Sequence, residues 1–218
     1  MSLSRIQQDL QNIYELEIGH NIHDYLITSR DIARALDTDH THRQAREKLL
    51  VYEDEAGLSL SLYLDEEIVN LFDDSRYPEE LDRHNLEEFC LALEGISHFV
   101  YLIWNAMHDR PVTLLEMELQ AEIDKFILLS GFYAGKSCAP APGQLRRLLF
   151  KTASFHETLR HVELKRYHDA NRYAHLYCRR LESRYFNDRG RVPLLNELRR
   201  FYRLDKRSKL ERISRFQR

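Results

Sequence analysis

Glycine and proline are scarce, seven and five among 218 residues, which speaks against a turn-rich β architecture and for helix. Cysteine is scarcer still. Cys90, Cys138 and Cys178 are odd in number and lack metal-knuckle spacing, so neither a disulfide framework nor a zinc finger is expected, and reduced thiols in a cytoplasmic protein are. The N-terminal stretch MSLSRIQQDL has no apolar signal core, and no segment offers the roughly 20 uninterrupted apolar residues of a membrane span, so no membrane partner is expected. A Gly-x-Ser-x-Gly elbow is missing, and GFYAGKS is not a phosphate loop, because Gly131 and Gly135 are four apart rather than five and no strand precedes them. Internal repeats and low-complexity tracts are missing as well.

What the chain does have is 43% hydrophobic and 31% charged residues, enough for a real core. Residues 85–108 organise it. Leu86, Phe89, Leu91, Leu93, Ile96, Phe99, Val100, Leu102, Ile103, Trp104 and Met107 cover every face of a helical wheel, the mark of a central buried helix. Its polar residues Glu94, His98, Tyr101 and Asn105, spaced four, three and four apart, fall on one stripe. Gly95 beside them is costly in a helix interior and marks a place where a neighbour can approach the backbone. Asn85 with Glu88, and Thr113 with Glu116, form capping-box patterns. The second opens a helix through about Leu129 that pairs antiparallel with the first, since the turn around Pro111 is so short. That register puts His98 level with residues 122–124, so Glu122 is the carboxylate expected to meet a buried His98.

The fold class read from these patterns is mainly α: an antiparallel helical bundle around the buried helix 85–108, with one N-terminal β-hairpin at about 48–64. The hairpin signal is the alternation of Leu58, Leu60, Leu62 and Leu64 with Ser59, Ser61 and Tyr63. A lone hairpin is marginal in water, so it packs on the bundle or pairs in a homodimer. Helices are expected from Ile6 to near Gly19, over NIHDYLITSRDIARAL with Thr28 or Ser29 offering a hydroxyl cap for a restart before Ile32 and Leu36, over 144–186 with a break near Thr152, and as one last helix from Leu194 to Phe216. Gly190 and Pro193 read as stop signals between the last two. Three segments follow: 1–84 acidic helices plus hairpin, 85–190 the bundle core, and 191–218 a basic C-terminal helix.

Charge is polarised along the chain. Residues 1–135 hold 10 Lys and Arg against 27 Asp and Glu; residues 136–218 hold 22 against 8. In the basic third, Arg166, Arg172, Arg179, Arg180 and Arg184 interleave with Tyr173 and its neighbours, and Arg199, Arg200 and Arg203 continue the run. Guanidinium groups neutralise phosphates and tyrosines stack on unpaired bases, so RNA, single-stranded DNA or an acidic protein is the natural partner of this surface. The bland alternative is that these arginines pair with the acidic half and the tyrosines line the core. The favoured reading is a non-enzymatic binding or adaptor protein without a cofactor. The competing reading is a metal-dependent enzyme of the di-iron or di-manganese type, with Glu94, His98, Glu118 and Glu122 between two helices, since hard divalent cations take carboxylate and imidazole ligands. Against it, paired Glu-x-x-His motifs are lacking. His161, His168 and His175, seven apart, cannot share one ion; His156 and His161 are five apart rather than four and point to different faces, and His20 with His23, and His40 with His42, lack a third ligand.

Overall fold

The computed structural model describes residues 2–37, 45–55, 57–73, 85–137, 139–141, 143–151, 161–186 and 191–215. The expectations that rest on Cys138, His40, His42, His156 and the break near Thr152 lie outside them. The class is as expected, mainly helical with a small sheet on the N-terminal side. Helix α1 (Leu3–Tyr14) starts where the Ser2 hydroxyl accepts from the Arg5 amide, and buries Leu3, Ile6, Leu10 and Tyr14 on one stripe. It stops at Glu15, which adopts φ 53°, four residues before the expected Gly19.

NIHDYLITSRDIARAL is not one helix. After a 3-10 turn at Ile22–Asp24 the chain extends as β1 (Leu26–Ile27), and helix α2 (Arg30–Leu36) begins only where Ser29 caps the Ile32 amide. The reason is tertiary, since β1 pairs in parallel with Leu62 and Tyr63 of the hairpin, and a sheet edge outweighs weak local helix propensity. The hairpin is β2 (Glu47–Asp54) and β3 (Gly57–Leu64), antiparallel and in the order β1-β3-β2. Leu62 and Leu64 are fully buried, whereas Leu58 toward the tip is exposed. Helix α3 (Glu66–Asp73) follows.

Helix α4 (Leu86–Ala106) is the core rod, with Phe89, Leu93, Ile96 and Phe99 at zero exposure. By length and composition alone it could cross a membrane, but the rest of the chain packs around it. Asn85 makes no capping bond through its side chain, and Glu88 turns instead to Arg46 of the preceding segment at 3.2 Å. The second capping box does form, with Thr113 and Glu116 reciprocally bonded at the start of α5 (Leu114–Tyr133). The Ser97 hydroxyl donates to Asp124 at 2.6 Å, which places the α4–α5 register where the short turn requires. Gly95 is where the sheet crosses α4. A Cβ there would lie 2.8 Å from Leu62 Cδ1 and 3.0 Å from Glu47 Cγ.

Helix α6 (Gln144–Lys151) leads toward α7 (His161–Tyr185), which lies along α5. The expected last helix is two. Pro193 is no stop signal but sits in the first turn of α8 (Arg191–Tyr202), where a missing N–H costs nothing. The chain breaks near Leu204, and Asp205 caps the Ser208 amide at 2.7 Å to start α9 (Lys206–Ser214). One hydrophobic cluster runs from Leu3 to Ile213 and draws on all three segments.

α9 is held by an unusual group. Lys209 is fully buried, donates to the Tyr101 hydroxyl at 2.9 Å and to Gln120 Oε1 at 3.2 Å, and lies over the Tyr101 and Phe201 rings. Burial pulls its pKa down to about 7, against the opposing pull of Glu116 and Asp124.

Two outcomes follow. Gly95→Ala gains roughly 1 kcal/mol of helix propensity, but overpacking against the fully buried Leu62 costs about 1–3 kcal/mol, so its urea midpoint falls; a raised midpoint would contradict the close approach. For Lys209 the folded pKa lies below the unfolded value, so between about pH 7 and 10 the unfolded chain binds more protons and stability from this group rises with pH, by at most about 1.4 kcal/mol per unit. Lys209→Met should remove that upward component from the stability profile, and an unchanged slope would show that Lys209 keeps an ordinary pKa when folded.

Candidate metal centre

Four acidic side chains converge on His98. Glu94 and His98 are one turn apart on α4, Glu118 and Glu122 one turn apart on α5, and Glu47 comes from β2 across the gap that Gly95 opens. His98 is buried, with 7% of its surface exposed, and so is Glu118 at 7%. The expected pairing is shifted by one turn. His98 Nε2 lies 3.7 Å from Glu118 Oε2, and Nδ1 lies 3.8 Å from Glu47 Oε1. Glu122 instead accepts from Lys125 at 2.8 Å. Lys125 also donates to Glu94 Oε2 at 3.0 Å, and Arg166 of α7 lies 3.6 Å from Glu118 Oε1.

Those distances divide the site into an inner and an outer layer. One donor atom each from Glu94, His98 and Glu118 lies within 4.8 Å of the others. Each of the three has a partner behind it: Lys125 on Glu94, Arg166 on Glu118, Glu47 on His98. His98 Nε2 and Glu47 Oε1 are buried without any hydrogen bond, a condition that native structures seldom leave unexplained. Two ligands on one tetrahedral ion with bonds of about 2.1 Å stand about 3.4 Å apart, so the 3.7 Å gap between His98 and Glu118 is too long for a hydrogen bond and close to that of two ligands sharing an ion.

Burial alone would lower the His98 pKa, but Glu47, Glu118 and Glu94 together hold it up at about 9. Burial pushes Glu118 up to about 7 despite His98 and Arg166, and it raises Glu47 and Glu122 as well. Glu94 goes down, because Lys125 and His98 outweigh its burial. With all four acids ionised, against Lys125, Arg166 and a protonated His98, the group carries one negative charge. A dication in place of the imidazolium proton makes the group neutral. Cys90 on α4 offers no soft ligand, since burial drives its thiol to about 12 and keeps it protonated.

The nine residues of the basic third do not share one face. Arg166 turns inward to Glu118. Arg199 donates to the Ile13 carbonyl and pairs with Glu15 at 2.7 Å, while Arg203 donates to the Glu15 carbonyl; both clamp the end of α1. Arg172 pairs with Asp169 and lies over the half-buried Tyr173. Arg179 and Arg200 are exposed, and Arg180 and Arg184 line a cleft between α7 and α9. His161 and His168 are exposed, and His175 bonds Arg146. Among the groups near His98, the sequence reading missed Glu47 and Lys125. Lys125 was findable, three residues beyond Glu122 on the same stripe, whereas nothing local marks Glu47, 51 positions before His98.

No family model matches the chain, and no curated protein or solved structure resembles it at a significant level.

Removing Lys125 tests the outer layer. Lys125→Met leaves the half-buried Glu94 and Glu122 without their cation and should cost up to about 3–5 kcal/mol in urea unfolding; a loss below about 1 kcal/mol would mean that water already solvates the two carboxylates.

Proposed function

We propose that this chain is a divalent-cation-binding protein, with one ion held by Glu94, His98 and Glu118 between α4 and α5. The observation that carries the reading is the buried, unbonded Nε2 of His98 facing Glu118 Oε2 at 3.7 Å within a three-residue donor set. Two carboxylates and one imidazole suit Mn²⁺, Fe²⁺ or Zn²⁺ rather than a soft ion. Glu47 faces His98 Nδ1 at 3.8 Å, and Lys125 and Arg166 stand behind the two carboxylates, the places that outer partners occupy at metal sites. Three protein ligands leave positions for water or a substrate oxygen.

The centre supports one ion rather than two, because among the described residues only the single three-residue group Glu94, His98 and Glu118 brings its donor atoms together. Titration of Mn²⁺ or Zn²⁺ into chelator-treated protein should give one ion per chain. At one hundred times the dissociation constant the ion adds about 2.7 kcal/mol, a rise of roughly 5–10 °C in melting temperature. His98→Ala and Glu118→Gln should each abolish that rise. A melting temperature that no cation moves would overturn the reading.

A further inference from the structure

The cleft between α7 and α9 is a second place where chemistry is concentrated. Arg180 and Arg184 stand one turn apart on α7, and Arg212 and Arg215 face them from α9 and its end. Tyr177, Leu181, Tyr185 and Glu197 complete a cavity of about 170 Å³. The floor is fixed. Tyr177 is buried, stacks on Phe201 and donates to Glu197 at 3.3 Å, and Arg212 meets Glu197 through both Nε and Nη2. Glu197 is the one carboxylate lining the cleft among the described residues, and it is committed to Arg212. Arg184 and Arg215, both exposed, form no ion pair with any described residue. Among the described residues, Arg184, Arg212 and Arg215 against Glu197 leave a positive excess in a concave site.

We propose that this cleft binds a phosphate group. Guanidinium forks from two facing helices match a tetrahedral oxyanion bidentately, and several of them are needed to balance a dianion. Arg212, held by Glu197, serves as the rigid member, and Arg184 and Arg215 close on the phosphate from either side. The cavity takes a phosphate with a few atoms of the group that carries it, so the ligand is a small phosphate ester or the 5′-phosphate of a single-stranded nucleic acid. This site is independent of the His98 centre.

The test is calorimetric titration of the full chain with pyrophosphate, and with a short single-stranded oligonucleotide bearing or lacking a 5′-phosphate. Pyrophosphate should bind one to one. The double variant Arg184→Gln, Arg215→Gln, both positions exposed, should keep the melting temperature and weaken pyrophosphate at least tenfold, while Arg172→Gln changes nothing. If the 5′-phosphorylated oligonucleotide binds more tightly than pyrophosphate and the unphosphorylated one does not, the source is a nucleic-acid end; if pyrophosphate binds as well as either, the source is a small ester. The proposal fails if pyrophosphate does not bind, or binds equally to the double variant.

Discussion

The fold depends on burying charge between α4 and α5 without leaving any of it alone. Glu118 is buried and Glu47, Glu94 and Glu122 are half-buried by the same packing that makes α4 the core rod, and an isolated carboxylate taken fully out of water there would cost several kcal/mol. Lys125, Arg166 and His98 offset that cost, and each comes from an element that must be in place for the bundle to close. Gly95 admits the sheet that brings Glu47, α5 brings Glu118 and Lys125, and α7 brings Arg166. The centre therefore records the assembly of three layers.

A second buried polar network lies beside it. Asp124 accepts from Ser97, Tyr14 and Gln120, and Gln120 in turn accepts from Lys209, so α1, α4, α5 and α9 are tied through one fully buried set. Burial pushes Asp124 up to about 6 and Lys209 down to about 7. Here every polar atom named has a partner, in contrast to His98 Nε2. That difference between neighbouring clusters, both buried and both charged, is why only one of them is read as a ligand site.

Periodicity made α4, α5 and their register legible, because apolar spacing and the Thr113–Glu116 box are local signals. It made the Glu94, His98 and Glu118 donor set legible too, since all three lie on two helices whose pairing a short turn dictates. It misplaced the partner of His98, because the choice between Glu118 and Glu122 is made by Lys125, and a counter-ion's preference is a tertiary matter. β1 was hidden for a similar reason: two residues become strand only because β3 offers them an edge. Polarised charge along the chain was visible, but its use was not. Arg166, Arg199 and Arg203 are spent on the acidic half, and the cleft arginines Arg212 and Arg215 lie within the basic third but not among the residues named there as a binding surface.

The central claim is that the unbonded face of His98 is a ligand. X-ray absorption at the zinc edge of the one-to-one zinc-loaded protein tests it most directly. The account predicts a shell of nitrogen and oxygen at about 2.0–2.1 Å with the outer scattering of a single imidazole and no sulfur. A sulfur shell, two or more imidazoles, or a spectrum unchanged by His98→Ala would place the ion elsewhere and contradict it.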